Sequence, residues 1–231
     1  MKTIGLLGGM SWESTAVYYQ LLNRMSRERL GGLHSAKCLL WSFDFAAIAA
    51  AQAAGDWDRA TEMMVDAARG VERGGAECLL ICANTMHKMA EEVQAAVNIP
   101  LLHIADATAP AIKAAGCRAP VLLATGYTMD QDFYKGHLKN RHGIEVRVPG
   151  DDDRAEVHRI IYEELCRGEV WADSKETYLE VVQREVQKGA DGVIFGCTEI
   201  GLLVKAEDFD VPTFDTSALH AAAALDFALG D

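Results

Sequence analysis

The feature that most constrains this chain is a strand-and-cysteine unit that occurs twice. Gly75-Ala76-Glu77-Cys78-Leu79-Leu80-Ile81-Cys82 and Gly189-Ala190-Asp191-Gly192-Val193-Ile194-Phe195-Gly196-Cys197 share one order: a Gly-Ala pair, an acidic residue, an apolar run, then cysteine. The two cysteines are separated by half the length of the 231-residue chain. Amphipathic helices are predicted before both, over Ala60–Glu72 and Lys175–Lys188. Asn98-Ile99-Pro100-Leu101-Leu102 and Asp210-Val211-Pro212-Thr213-Phe214 echo each other after both. Repetition on this scale is duplication of a whole folding unit, since solenoid repeats are much shorter.

A further pair fits the same scheme. Thr3–Leu7 is an apolar run ending in Gly8-Gly9-Met10-Ser11, with a helical stripe of Tyr18, Leu21, Leu22 and Met25 behind it. Ser11 is a natural N-cap, and Glu13 suits the first turn. Pro120–Thr125 followed by Gly126 reads alike, with one helix expected over Tyr127–Leu138. Apolar strands alternating with helices predict an α/β protein with parallel sheets covered on both faces. The expected architecture is two pseudo-symmetric lobes with the active site in the cleft between them. Residues 1–104 would form lobe 1 and 105–210 lobe 2, with a strand and helix over 211–231 returning toward lobe 1.

Composition removes other classes. Lys and Arg number 22 against 34 Asp and Glu, a net charge of −12 without a basic run, so nucleic acid is not an expected partner. No apolar run reaches membrane-spanning length, and the short apolar start meets Glu13 without a cleavage pattern, so no membrane partner and a cytoplasmic location are expected. The six cysteines are then reduced thiols.

Parallel folds place ligands at the carboxyl ends of their strands. Gly8–Ser11, Cys82–His87, Thr125–Tyr127 and Cys197–Glu199 all stand there. Cys82 precedes polar residues and a helix expected over Lys88–Val97, a setting that lowers a thiol pKa. Cys197 has the same setting. His87 is expected to be exposed or capping, and Cys38, Cys78, Cys117 and Cys166 to be packing residues. No zinc spacing, no nucleophile elbow and no dinucleotide fingerprint is present. Two opposed thiols can invert a stereocentre, one removing a proton and the other delivering one to the opposite face. Backbone amides near Asn84, Thr85 and Thr198 could hold a carboxylate.

Cys82-Ala83-Asn84-Thr85, Gly196-Cys197-Thr198-Glu199 and the opening Gly8-Gly9-Met10-Ser11-Trp12-Glu13-Ser14 resemble the aspartate/glutamate racemase family over essentially the whole chain. The resemblance implies a pyridoxal-phosphate-independent amino-acid racemase, an isomerase with no cofactor and no metal, acting on aspartate, glutamate or both, and forming a homodimer. It implies Cys82 and Cys197 as catalytic residues. Met10, Ala83, Asn84, Thr85, Thr125, Thr198 and Glu199 would surround the substrate, with Gln52 at its side chain and Ile160–Arg167 as a further contributor. Glutamate racemases usually carry an acidic residue where Met10 stands and histidine where Glu199 stands. Those departures argue against a strict cell-wall glutamate racemase. Alternatives are a related isomerase or decarboxylase of the maleate, hydantoin or malonate type, a racemase of other amino acids such as homoserine, or a non-catalytic amino-acid binder.

Overall fold

A computed structural model describes residues 1–230. The chain divides into two compact units, one of Met1–Ile104 with His220–Asp231 and one of Ala105–Leu219. In the first, β1 (Ile4–Gly8) and α1 (Trp12–Leu30) are followed by β2 (Cys38–Ser42), α2 (Phe45–Ala54), α3 (Trp57–Arg73), β3 (Cys78–Ile81) and α4 (Ala90–Ala95). The sheet order is β2-β1-β3, all parallel, with Ile4 level with both Cys38 and Cys78. A single bridge from Leu79 to Leu101 extends it beyond β3.

Strand periodicity sorts the side chains to two faces. Leu7, Leu79 and Ile81 pack with Ile48, Met64, Ala67 and Val71 of α2 and α3. Ile4, Leu6, Cys78, Leu80 and Cys82 pack with Tyr18 and Leu22 of α1 and with Ala221, Ala224 and Ala228. The unbroken apolar runs of β1 and β3 are therefore strands covered on both sides. Gly5 is required by this packing, because a Cβ there would lie 2.5 Å from Val71 Cγ1 and 2.9 Å from the Cys78 carbonyl oxygen. Ser11 caps α1 by accepting from the Ser14 amide at 3.3 Å.

The second unit begins in α5 (Ile104–Ala114). It continues through β4 (Val121–Leu123), α6 (Gly126–Asp130), α7 (Asp132–His142), α8 (Asp151–Glu163), α9 (Ala172–Gln187), β5 (Val193–Phe195), α10 (Ile200–Leu203) and β6 (Thr213–Asp215). Its parallel sheet is β4-β5-β6, widened beyond β4 by a bridge from Val121 to Arg147. Counting the bridges, both sheets run second, first, third, fourth. The proline echoes of the sequence are the fourth positions, Leu101 in one sheet and Thr213 in the other.

That equivalence corrects one expectation. The strand at 213–215 does not return to the first unit; it hydrogen-bonds β5, with Phe214 level with Ile194. Helix α11 (Thr216–Leu229) follows, and from His220 onward it belongs to the first unit. The helix expected over Tyr127–Leu138 is in fact two, α6 and α7, parted at Gln131, whose backbone is extended. The polar run Asp130-Gln131-Asp132 suits a solvent-facing turn of one helix equally well, so helical spacing gave no sign of the break. Among the described residues, no helix is long and apolar enough to cross a membrane.

Candidate active site

In the first unit, β1 ends in the turn Gly8-Gly9-Met10-Ser11. Gly9 has φ +82°, its amide donates to Thr15 Oγ1 at 2.7 Å, and a Cβ there would lie 2.4 Å from the Phe43 carbonyl oxygen. Only glycine meets both demands. The turn delivers Met10 into the cluster that holds Ile48 and Met86. Gln52, buried on α2, donates from Nε2 to Met86 Sδ at 3.2 Å. Met10, Gln52 and the Cys82 loop thus converge through Met86.

Cys82 stands one residue past β3, its amide bonded to the Leu7 carbonyl, and is fully buried beside Tyr18, Leu22 and Leu80. Ala83, Asn84 and Thr85 follow, the last two buried. The lowered thiol pKa expected from a helix N-terminus is not found. The chain past Cys82 makes a short 3-10 turn over Thr85–Met89, and α4 begins only at Ala90. Burial dominates and pushes the Cys82 thiol far up. His87 is also corrected. It is buried, its Nδ1 2.9 Å from the Ala83 carbonyl oxygen and its Nε2 accepting from the Ile104 amide at 3.2 Å.

In the second unit, Cys197 follows β5 with one glycine between. That Gly196 is forced, since a Cβ would lie 2.6 Å from Leu122 Cδ1. The Cys197 thiol donates to Glu199 Oε2 at 2.9 Å, and Glu199 is only 3% exposed. Cys166 Sγ stands 4.0 Å from the other oxygen, Oε1. Burial, then the charge of Glu199, raise the Cys197 pKa, so the resting group is a thiol here too. The phenols of Tyr162 and Tyr178 are pushed up by burial and, more weakly, by neighbouring groups that include the Cys166 and Cys197 sulfurs and the Glu199 carboxylate.

Thr198 Oγ1 accepts from Ser217 Oγ at 3.1 Å. Thr125, at the end of the loop after β4, lies 3.2 Å from Thr128 Oγ1 and is buried. Gly126 next to it donates to His158 Nδ1 at 3.0 Å. Cys166, expected to be packing, instead sits in the 3-10 turn Leu165–Arg167 against Glu199. Its 33-residue separation from Glu199 left no local signal, and neither Ser217 nor Tyr178 carried one. Elsewhere in this unit, His137 and His142 point Nε2 at one oxygen of Asp106, at 2.6 and 2.7 Å, the geometry of a carboxylate accepting two imidazole N–H bonds.

The family model for Asp/Glu/hydantoin racemases matches residues 7–224. The chain belongs to the Asp/Glu/hydantoin racemase family. A Yersinia pestis protein assigned as an Asp/Glu racemase has 53% identity and a TM-score of 0.92 over 99% of this chain and 100% of its own. An aspartate racemase homologue from Pyrococcus horikoshii has 35% identity and a TM-score of 0.86 over the same shares. A broad-specificity amino-acid racemase of Bacillus subtilis is 25% identical over 173 residues, 72% of this chain and 71% of that protein. Family membership makes the protein an isomerase, of the amino-acid racemase type that these relatives represent.

Proposed function

We propose that this racemase inverts the α-carbon of aspartate, glutamate or both by a two-thiol mechanism that needs no cofactor. The observation that carries the reading is the Cys197–Glu199 pair. A thiol at 2.9 Å from a buried carboxylate has a ready acceptor for its proton, on the cysteine that the duplicated sequence marks. Glu199 takes the Cys197 proton, and the thiolate so formed removes the α-proton from one face of the substrate. The Cys82 thiol, kept protonated by its apolar surroundings, delivers its own proton to the other face. The turnover leaves Cys82 as the thiolate and Glu199 protonated; this form takes the opposite enantiomer with the thiol roles exchanged, or returns to the resting form by proton exchange with solvent. Between the two transfers, negative charge accumulates on the substrate carboxylate, where backbone N–H groups of the Asn84-Thr85 and Thr198 loops would stabilise it.

Met10 and Gln52 present a thioether and a neutral amide rather than a fixed positive charge. That combination favours tolerance of more than one side chain over strict selection of an acidic one, and it keeps a broad-specificity reading open beside the acidic substrates. The test is incubation with single L-amino acids in D₂O without pyridoxal phosphate, following loss of the α-proton signal and appearance of the D-enantiomer. Exchange with racemisation for at least one amino acid supports the reading. Exchange only after pyridoxal phosphate or a metal is added overturns it.

A further inference from the structure

The buried histidines of the first unit have fixed protonation patterns, and one of them bears on Cys82. A backbone amide can only donate, so the Ile104 N–H at 3.2 Å requires a lone pair on His87 Nε2. The ring proton then resides on Nδ1, which faces the Ala83 carbonyl oxygen at 2.9 Å, a group that can only accept. Both nitrogens are committed, in the Nδ1–H tautomer, and the ring is buried beneath the loop. The His103 and His220 rings pack around it, with centroids 4.7 and 5.7 Å away. A ring so engaged is neither a proton-transfer base nor a metal ligand. What it does is join the carbonyl next to Cys82 to the backbone at the start of α5.

We propose that His87 is a positioning residue for the Cys82 thiol: its Nδ1–H holds the Ala83 carbonyl and so fixes the Cys82-Ala83-Asn84 turn, while Nε2 ties that turn to Ile104. The proposal rests on the two-thiol reading for its effect on rate, but the hydrogen-bond pattern is independent of it. The His87 amide closes the turn by donating to the Asn84 carbonyl at 3.1 Å, so ring and backbone of one residue hold the successive carbonyls of Ala83 and Asn84. Proton transfer at carbon is sensitive to such placement, and a displacement of about 1 Å costs up to about a hundredfold in rate.

Two substitutions separate the ring's nitrogens. His87→Asn places an amide N–H near the position of Nδ1 and keeps the Ala83 bond. His87→Gln places an amide oxygen near Nε2 and keeps only the Ile104 bond. Expected are a kcat within about threefold of wild type for His87→Asn and about ten- to a hundredfold lower for His87→Gln, with KM moving less than about threefold in both. Alkylation of Cys82 by iodoacetamide, followed on its peptide by mass spectrometry, should quicken in His87→Gln and not in His87→Asn. Nitrogen chemical shifts of wild-type His87 should report a proton on Nδ1 alone.

Equal kcat in the two variants, or a slower Asn than Gln variant, overturns the proposal, as does a protonated Nε2 in the wild type. Should His87→Gln not fold, the wild-type shifts and the activity of His87→Asn decide. If the wild type racemises no amino acid, the two-thiol reading fails on its own, and the shifts and the alkylation rates still judge the role of His87.

Discussion

Tyr18 and His220, 202 positions apart, share a hydrogen bond of 2.9 Å in the interior of the first unit. His220 Nε2 faces the Leu102 carbonyl oxygen, which can only accept, so Nε2 carries the proton and Nδ1 accepts from the tyrosine hydroxyl. This chain of three groups ties α11 to α1 and to the segment that leads into α5. Burial depresses the His220 pKa to about 4, against an ordinary value of 6.5, so the folded protein holds the ring neutral. The unfolded chain binds this proton from about pH 6.5 downward and the folded one only near pH 4. Stability therefore falls as pH drops through that window, by roughly 3 kcal/mol in total from this group. Urea unfolding of wild type and His220→Gln between pH 7 and 4 should give stability curves whose total loss is larger in the wild type by about that amount. Parallel curves would assign the acid sensitivity to other groups, among them His158, whose pKa burial also lowers.

Replacing Cys82 or Cys197 with serine should abolish racemisation while leaving the fold intact, because a hydroxyl is a far weaker acid than a thiol. Each variant is expected to retain α-proton exchange in D₂O for one enantiomer only, and the two variants for opposite ones. Proton NMR of separate L and D samples reads this directly. Unchanged racemisation in either variant would exclude two-base chemistry.

Glu199→Gln keeps the shape of the side chain and a hydrogen-bonding oxygen near Cys197 but cannot take its proton. The expected loss is at least about tenfold in kcat, with thermal unfolding shifted little, since general-base assistance is worth about 10²–10⁴ where fully used. Cys166→Ala, which removes only the sulfur 4.0 Å from Oε1, should change kcat far less. A Gln variant with full turnover and about 0.3–1 kcal/mol less stability would reduce Glu199 to a helix-end charge.

Gly9→Ala should destabilise the protein by about 1–3 kcal/mol, the cost of holding a non-glycine residue at positive φ, with the clash against Phe43 added to it. Because the turn carries Met10, KM should rise along with the loss of stability. Denaturation midpoints and steady-state kinetics on one preparation test both halves.

Much of this was legible in the residues. The strand-and-cysteine echo located β3 and β5, and the proline echo located the fourth position of each sheet, because a doubly covered parallel strand must be apolar without interruption. The boundary at 211 failed by treating Thr213–Asp215 as a returning strand, although its echo, Leu101, lies in the sheet of its own unit. The environment of the thiols was not legible. A polar run after Cys82 looks like the exposed start of a helix, whereas Asn84, Thr85 and His87 turn inward to meet backbone groups distant in sequence. Contacts such as Cys166 with Glu199 depend on how the turn Leu165–Arg167 meets the segment at α10, which no local pattern encodes.

The two thiols stand at equivalent places in like sheets yet have unlike surroundings, hydrocarbon around Cys82 and a carboxylate beside Cys197. Mirror-image substrates have equal free energies in water, so the equilibrium constant is unity and kcat/KM must be the same for both enantiomers. The inequality of the two thiols is then confined to saturation behaviour. On the proposed two-thiol mechanism, whatever factor separates kcat for the two enantiomers separates KM by the same factor. On that mechanism, a duplicated frame that has kept its strand order and lost its chemical symmetry sets how the two mirror images share the enzyme at saturation.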